Sequence, residues 1–254
     1  MEGQQFIQTI QEFNPISLQE MDNVKLMNRV DTKFAFPANK LDAILKLIQD
    51  DYRVFEIEGT RIPFYRSLYF DDEDFSLFHD HHKGKMSRFK IRVREYVESN
   101  LHFLEIKHKF KGRTRKSRIS ADGFQDDLNS IQLEFILGTM KEHKNLKASL
   151  WNSFNRITLV GVNNPERLTL DFNLTFEWKD EVQVFDKLII AELKQEKVNR
   201  NTPFFKVMKS LAIRPYRLSK YCIGSIEIHG AENLKYNRFK KKLLTLKKIN
   251  DNVA

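Results

Sequence analysis

Between residues 87 and 120 one pattern repeats three times: charged side chains at alternate positions, with apolar residues between them. In 87–98, Lys90, Arg92, Arg94 and Tyr96 alternate with Phe89, Ile91 and Val93. In 101–110, Glu105, Lys107 and Lys109 stand against Leu104, Ile106 and Phe110; the run 113–120 offers Lys116 and Arg118. Neighbouring side chains on a strand point to opposite faces, so the period of two predicts three strands with their cations on a shared face. Ser99 and Asn100 make a connection short enough for a hairpin, and Gly112 marks a second turn. Residues 81–120 hold 13 Lys/Arg against 3 Asp/Glu, a net +10, while the whole 254-residue chain carries +9. The remainder is therefore close to neutral. A concentrated anion is the partner that such a block fits.

Other segments share the alternation. Arg29, Asp31 and Lys33 align within a strand predicted over 25–36. Asn152 and Arg156 align in 151–160, Arg167, Thr169, Asp171 and Asn173 in 166–177, and Glu192 with Lys194 opposite Leu193 in 183–194. Further strands are expected over 52–58 and 63–71. Helices are expected over 17–25, where Ser17 and Glu20 form a capping box, and on the face Leu41, Ile44, Leu45 and Ile48. Two more are expected within 122–147 from Phe124, Leu128, Ile131 and Phe135, one from Thr202 with Pro203 in its first turn, and one after Ser219. Strands dominate, so the fold class is α+β with a mainly antiparallel sheet. The organisation expected is an N-terminal helical segment over 1–24, a main domain over 25–230 and a basic C-terminal tail over 231–254.

For any single strand, a charged face ordinarily means solvent. Six or seven strands agreeing, with three almost uniformly positive, is a different matter, because like charges opposite one another destabilise a sheet. A sheet curled with its charged face inward forms an antiparallel β-barrel tunnel of about eight strands with a polar, cationic lumen and flanking helices. Low dielectric inside strengthens each cation's hold on phosphate. Glu105, Asp171 and Glu192 on the same faces suit a divalent metal bridging phosphates, with ion pairing to neighbouring cations as the alternative.

Several classes are excluded or disfavoured. The single Cys222 cannot form an internal disulfide, and no Cys/His spacing resembles a zinc site. No apolar run approaches the roughly 18–20 residues of a membrane span, and the polar N-terminus carries Glu2, so a cytoplasmic protein without an integral membrane segment is expected. There is no P-loop: GKMS at 84–87 lacks the upstream glycine. Nucleic acid is not expected, because Phe89, Phe103 and Phe110 read as core or edge residues rather than stacking platforms. His79, His81 and His82 read as solvent-exposed residues of a connecting segment. The stretch 235–248 has seven basic residues and no acid, which suits a solvated helix or contact with product chains, a partner or a membrane surface.

The ordered set NRVDTKF (28–34), YRSLYFDD (65–72), FKIRVREY (89–96), FLEIKHK (103–109), RKSR (115–118), ERLTLDFNLTF (166–176), AELK (191–194) and LSKY (218–221) resembles the VTC domain. That is the polyphosphate polymerase domain of the vacuolar transporter chaperone complex, with stand-alone relatives in bacteria, among the CYTH-like triphosphate tunnel metalloenzymes. The resemblance implies an enzyme that transfers the γ-phosphate of ATP to the end of an inorganic polyphosphate chain, releasing ADP, with Mn²⁺ or Mg²⁺ as cofactor. Within it, Arg92, Arg94, Lys107, Arg156 and Arg167 match clamps on the triphosphate and acceptor, and Lys33 and Lys220 match stabilisers of the transferring group. Lys116 and Ser219 match further phosphate ligands and Glu192 the metal ligand. Lys90, Lys109 and Arg118 join as phosphate-binding residues on alternation.

Two departures stand out. Asn28 occupies a position where many relatives place Glu, and Phe154 one where eukaryotic relatives place Tyr. The chain shows neither the SPX domain nor the membrane helices of the eukaryotic complexes, so synthesis coupled to translocation is not expected. The alternatives are a metal-dependent inorganic tri- or polyphosphatase or nucleoside triphosphatase, for which Glu105 would serve as base, and a non-catalytic polyphosphate-binding module.

Overall fold

The alternating segments form strands that join into a single sheet. The computed structural model describes residues 2–22, 29–111 and 113–251. The strands are β1 (Pro15–Ile16), β2 (Val30–Pro37), β3 (Tyr52–Phe55), β4 (Phe64–Asp71), β5 (Ser87–Tyr96), β6 (Leu101–Phe110), β7 (Arg113–Ala121), β8 (Lys147–Gly161), β9 (Glu166–Trp178), β10 (Glu181–Phe185) and β11 (Leu188–Gln195). Eight of them follow the order β2-β11-β9-β8-β4-β5-β6-β7, antiparallel throughout, with β10 added beside β9 and β3 beside β8. The helices are α1 (Glu2–Gln11), α2 (Leu18–Asp22), α3 (Leu41–Ile48), α4 (Ser76–Lys83), α5 (Ser130–Met140), α6 (Pro203–Ser210), α7 (Lys220–Asn233) and α8 (Asn237–Asp251).

Apolar positions of the strands build the outer shell. Phe34, Phe36, Leu168, Leu170, Ile189 and Leu193 pack with Leu41, Ile44, Leu45 and Ile48 of α3 and Phe204 of α6. On the other wing, Leu68, Ile91, Val93, Leu104 and Ile106 pack against Ile136 and Met140 of α5. Emptying one such site, as in Phe204→Ala, costs about 3–5 kcal/mol.

The sheet is strongly curled. In a flat sheet β2 and β6 would stand about 29 Å apart at the usual strand spacing. Yet Lys33 of β2 is among the cations that depress the Lys107 ammonium of β6. Two bulges help the strands bend. Ser149 is the extra residue of β8 opposite Tyr69/Phe70, and β9 shifts register opposite Ser153/Asn155, where Asn173 adopts a left-handed φ of 51°. No β2–β7 pairing closes the barrel among the described residues. The segment leading into α7 crosses the seam instead: Tyr216 donates its backbone N–H to the Lys33 carbonyl (2.6 Å), and Ser219 accepts from the Lys90 ammonium on β5 (2.7 Å). Helix α7 fills one end of the concave face, with Tyr221, Cys222, Ile223 and Ile226 against Tyr69, Leu150, Phe154, Phe176 and Ile190. Gly224 permits this approach, since a Cβ there would lie 2.3 Å from the Phe176 ring.

Some expectations need correction. Helix is confined to α5 within 122–147: Phe124 and Leu128 pack on the wing from irregular backbone, and Ile131 is 70% exposed. Asn129 and Gln132 form the capping box that starts α5 late. The stretch 183–194 is two strands, broken at Asp186–Lys187. His79, His81 and His82 lie on α4, half-buried rather than exposed, and His81 bonds the Phe89 carbonyl (3.0 Å). Phe103 shares the charged face, with the Arg118 guanidinium 4.4 Å above its ring, and Phe110 is 47% exposed. Residues 25–28, including Asn28, and the Gly112 turn lie outside the described residues. The Ser17–Glu20 capping box and Pro203 in the first turn of α6 stand as expected.

Candidate functional site

The concave face gathers the charged positions of seven strands and the N-terminus of α7. Its cations are organised around three carboxylates. Glu105, fully buried, accepts from Nε and Nη2 of Arg92 (3.0 and 2.7 Å) and pairs with Lys116. Asp171 receives a fork from Arg156 (2.5 and 2.8 Å) and the Lys220 ammonium. Glu192 pairs with Lys33 and, at 3.3 Å, with Lys194. Strand register dictates these groupings: Arg92 faces Glu105, which faces Arg118, while Arg156 faces Asp171 and Lys33 faces Glu192.

Other cations lie outside these three groups. Arg94 is buried, donates to the Ser67 hydroxyl (3.1 Å), and lies over Tyr65 and Phe154, 5.5 and 5.4 Å from their ring centres. Lys107, opposite Lys90, makes no ion pair among the described residues. Lys109, opposite Arg88, stands one same-face residue pair further toward the rim on the same two strands. Arg118 is exposed over Phe103. Arg167 is half-buried opposite Lys194, and its Nη2 approaches the Met21 carbonyl at 3.5 Å. Ser219 caps α7 by accepting from the Cys222 N–H.

This crowding changes protonation. Burial pushes Lys33 down to about 7, and neighbouring Lys194 adds to the effect. Lys194 falls to about 7 through burial and then Arg156. Lys220 falls to about 7 through burial, against the opposing pull of Asp171. Lys116 falls to about 8 through burial, with Glu105 opposing. Lys107 lies well below its usual value, from burial and then Arg92 and Arg94. The carboxylates go the other way despite burial, Glu105 being held well below its usual range by Arg92, Arg94 and Lys116, and Asp171 by Arg156 and Lys220. An anion entering the lumen favours the charged form of these lysines and so is expected to draw in protons.

An aromatic floor supports the cations. Tyr65 and Phe154 stack with centres 5.5 Å apart and planes 11° off parallel. Arg156 lies 5.1 Å from each ring, and the Lys220 ammonium 3.5 Å from Phe154. Tyr69 receives the Arg92 Nη1 (2.9 Å) on its hydroxyl. Sequence reasoning gave no site role to Tyr65, Ser67, Tyr69 or Lys194. Tyr65, Ser67 and Tyr69 do alternate within YRSLYFDD, but their modest polarity hides that face behind the charges of other strands.

The VTC domain model matches residues 28–229, four-fifths of the chain. The chain belongs to the VTC-domain family. No curated protein sequence matches it. Similar solved structures include a candidate adenylate cyclase from Vibrio parahaemolyticus, 13% identical, covering 77% of this chain and 97% of its own, with a TM-score of 0.46. Another is a candidate adenylyl cyclase from Hippeastrum reported with a dominant triphosphatase activity, 12% identical, covering 78% and 95%, with a TM-score of 0.48. A third, from Bacillus halodurans, is 14% identical over 76% and 96%, with a TM-score of 0.44. In this VTC domain the charged face is the concave one, and no helix of the described residues is long and apolar enough to cross a membrane.

Proposed function

We propose that this VTC domain is an ATP-dependent polyphosphate polymerase. The observation that carries the reading is the state of the lumen carboxylates. Water attack on a phosphoanhydride benefits from a general base, and Glu105 was the candidate. It is fully buried, pinned by Arg92 and Lys116, and its affinity for a proton is depressed. Asp171 is held in the same way by Arg156 and Lys220. A terminal phosphate oxygen is already anionic and needs no base, so a cationic lumen whose buried carboxylates are both locked in ion pairs favours phosphate over water as nucleophile.

In this reading the terminal oxygen of the acceptor chain attacks the γ-phosphorus of ATP, the bond to the β-phosphate oxygen breaks, and ADP leaves. Arg92, Arg94, Lys107, Arg156 and Arg167 hold the triphosphate and acceptor, with Lys90, Lys109, Lys116, Arg118 and Ser219 along the chain's path. Lys33 and Lys220 neutralise charge on the transferring group. Phosphate binding raises the depressed lysines back toward full charge.

Among the described residues no three His, Cys, Asp or Glu side chains come together to cage a metal. Glu192 nevertheless fits one: it is partly exposed and is paired to lysines, not locked in an arginine fork. Mg²⁺ and Mn²⁺ often bind through one or two carboxylates plus phosphate oxygens and water. A metal held by Glu192 would neutralise phosphate charge, and Lys33 and Lys194 would be freed toward the anion.

Incubation with ATP and Mn²⁺ or Mg²⁺, with and without a pyrophosphate primer, followed by electrophoresis of the products, tests the reading. Long chains with stoichiometric ADP are expected. Orthophosphate without chains would sink the polymerase in favour of a phosphatase, and binding without turnover would leave a polyphosphate-binding module.

A further inference from the structure

The row of lumen cations does not stop at the rim. On β5 it continues outward from Arg92 through Lys90 to Arg88, about 14 Å of strand. Lys107 and Lys109 keep pace on β6 as the partners of Lys90 and Arg88. At the rim, burial and then Arg88, Lys90 and Arg217 depress the Lys109 ammonium, with Asp31 opposing, so these four cations and one acid share one mouth. From there contacts lead onto the outer surface. Arg88 donates to the Lys85 carbonyl (2.5 Å), and Lys85 is 61% exposed after its pair with Asp80. Two residues earlier, Lys83 is exposed at the end of α4, and its carbonyl receives the Arg238 guanidinium of α8. One turn on, α8 adds Lys240 and Lys241, both exposed.

We propose that this track, Arg217–Lys109–Arg88–Lys85–Lys83–Lys241, is a second binding site, outside the lumen, for the emerging inorganic polyphosphate chain. It rests on the polyphosphate reading above. The ligand chemistry follows from charge and shape. The track runs by contact from one basic residue to the next, continuous with the cation-lined interior; Asp80 is the acid paired with its outer part and Asp31 the acid that acts at its mouth. A flexible anion with a charge on every repeat can lie along it, whereas a nucleoside triphosphate fills the lumen alone. The site would hold a growing chain by its far end while its near end stays at the reacting centre, which favours repeated addition over release.

The test compares tripolyphosphate with long-chain polyphosphate in the full chain and in the triple variant Lys83→Gln/Lys85→Gln/Lys241→Gln. These side chains lie outside the catalytic set, so initial ATP turnover and tripolyphosphate affinity are expected to remain within about twofold. Long chains should bind the parent protein more tightly than tripolyphosphate and lose about tenfold or more in the variant. The slope of log affinity against log salt should fall by about one per lysine removed. Products made by the variant should be shorter. Equal affinity for short and long chains in the parent protein, or an unchanged salt slope in the variant, overturns the track. So does a variant that loses track-dependent binding to vesicles of phosphatidylcholine and phosphatidylserine but not to long chains. If ATP yields no chains while long chains still bind through these lysines, the synthetic reading falls and the track stands.

Discussion

The two walls of the lumen solve different problems. The β5–β6–β7 wall presents Lys90, Arg92, Arg94, Lys107, Lys109, Lys116 and Arg118 around one carboxylate, Glu105. The β2–β11–β9 wall sets Lys33, Arg167 and Lys194 beside Asp31, Asp171 and Glu192. The first is cation-rich, and its one acid is sealed beneath an arginine. The second is nearly balanced, and Glu192 on it is paired through lysines that an arriving anion can draw away. Under the polymerase reading the difference would separate phosphate holding from metal holding, and it makes the same substitution mean different things on the two sides.

The largest effect should come from Glu105→Gln. It leaves Arg92 and Lys116 uncompensated in a buried site, a loss of about 3–5 kcal/mol, visible in chemical denaturation. Glu192→Gln removes a partly exposed pair, worth about 0–1 kcal/mol in stability, while metal-dependent turnover should disappear. If both variants lost stability equally, the contrast between the walls would fail.

Arg94→Ala tests the cation-rich wall directly. Turnover should drop by about 100- to 1000-fold, with thermal stability little changed, because buried Arg94 makes no direct ion pair among the described residues. Steady-state kinetics with ATP decide this, and a change in KM alone would limit Arg94 to ground-state binding.

The pH response carries opposite signs for folding and binding. Lys33, Lys194 and Lys220 titrate at about 7 in the folded chain, against an ordinary lysine near 10.5. Between these values the unfolded chain binds more protons, so the ligand-free protein should gain stability as pH rises from about 7 to about 10. Triphosphate affinity should fall over the same range, with proton uptake on binding within it and none well below pH 7. Calorimetry in buffers of different ionisation enthalpy reads the uptake; none at all would show that these lysines remain charged in the empty lumen.

The smallest effect concerns the aromatic floor that joins the walls. Phe154→Leu should weaken triphosphate binding by about 0.5–2 kcal/mol, and fluorinated phenylalanines should give a graded loss. A flat series would reduce the ring to packing.

How much of this was legible differs by element. The β5–β6–β7 block was readable because each strand alternates strictly and its turns are short, so parity alone places Arg92, Arg94 and Lys107 together. The limits of α5 were not, because Phe124 and Leu128 repeat at helical spacing while packing from irregular backbone. The histidines of α4 misled for a similar reason: a polar helix between two strands looks like a loop until Asp71 accepts from the N–H groups of Leu77 and Phe78. Asn173 shared parity with Asp171 in the sequence, but a bulge gives it a left-handed backbone and leaves it exposed.

The sequence by itself determined that one face of many strands is charged, because a period of two sorts those side chains to one side; a concentrated anion as partner is the expectation that follows from it. The residues 28–229 also mark the chain as a VTC domain. Tertiary structure decided what the charges do to one another. Curling brings Lys33 into the field of Lys107 from the far side of the sheet, gives each of three carboxylates two cations, and places Lys220 between Asp171 and the Phe154 ring. Pairing and proton affinity depend on distance and burial across strands remote in sequence, and no periodicity encodes either.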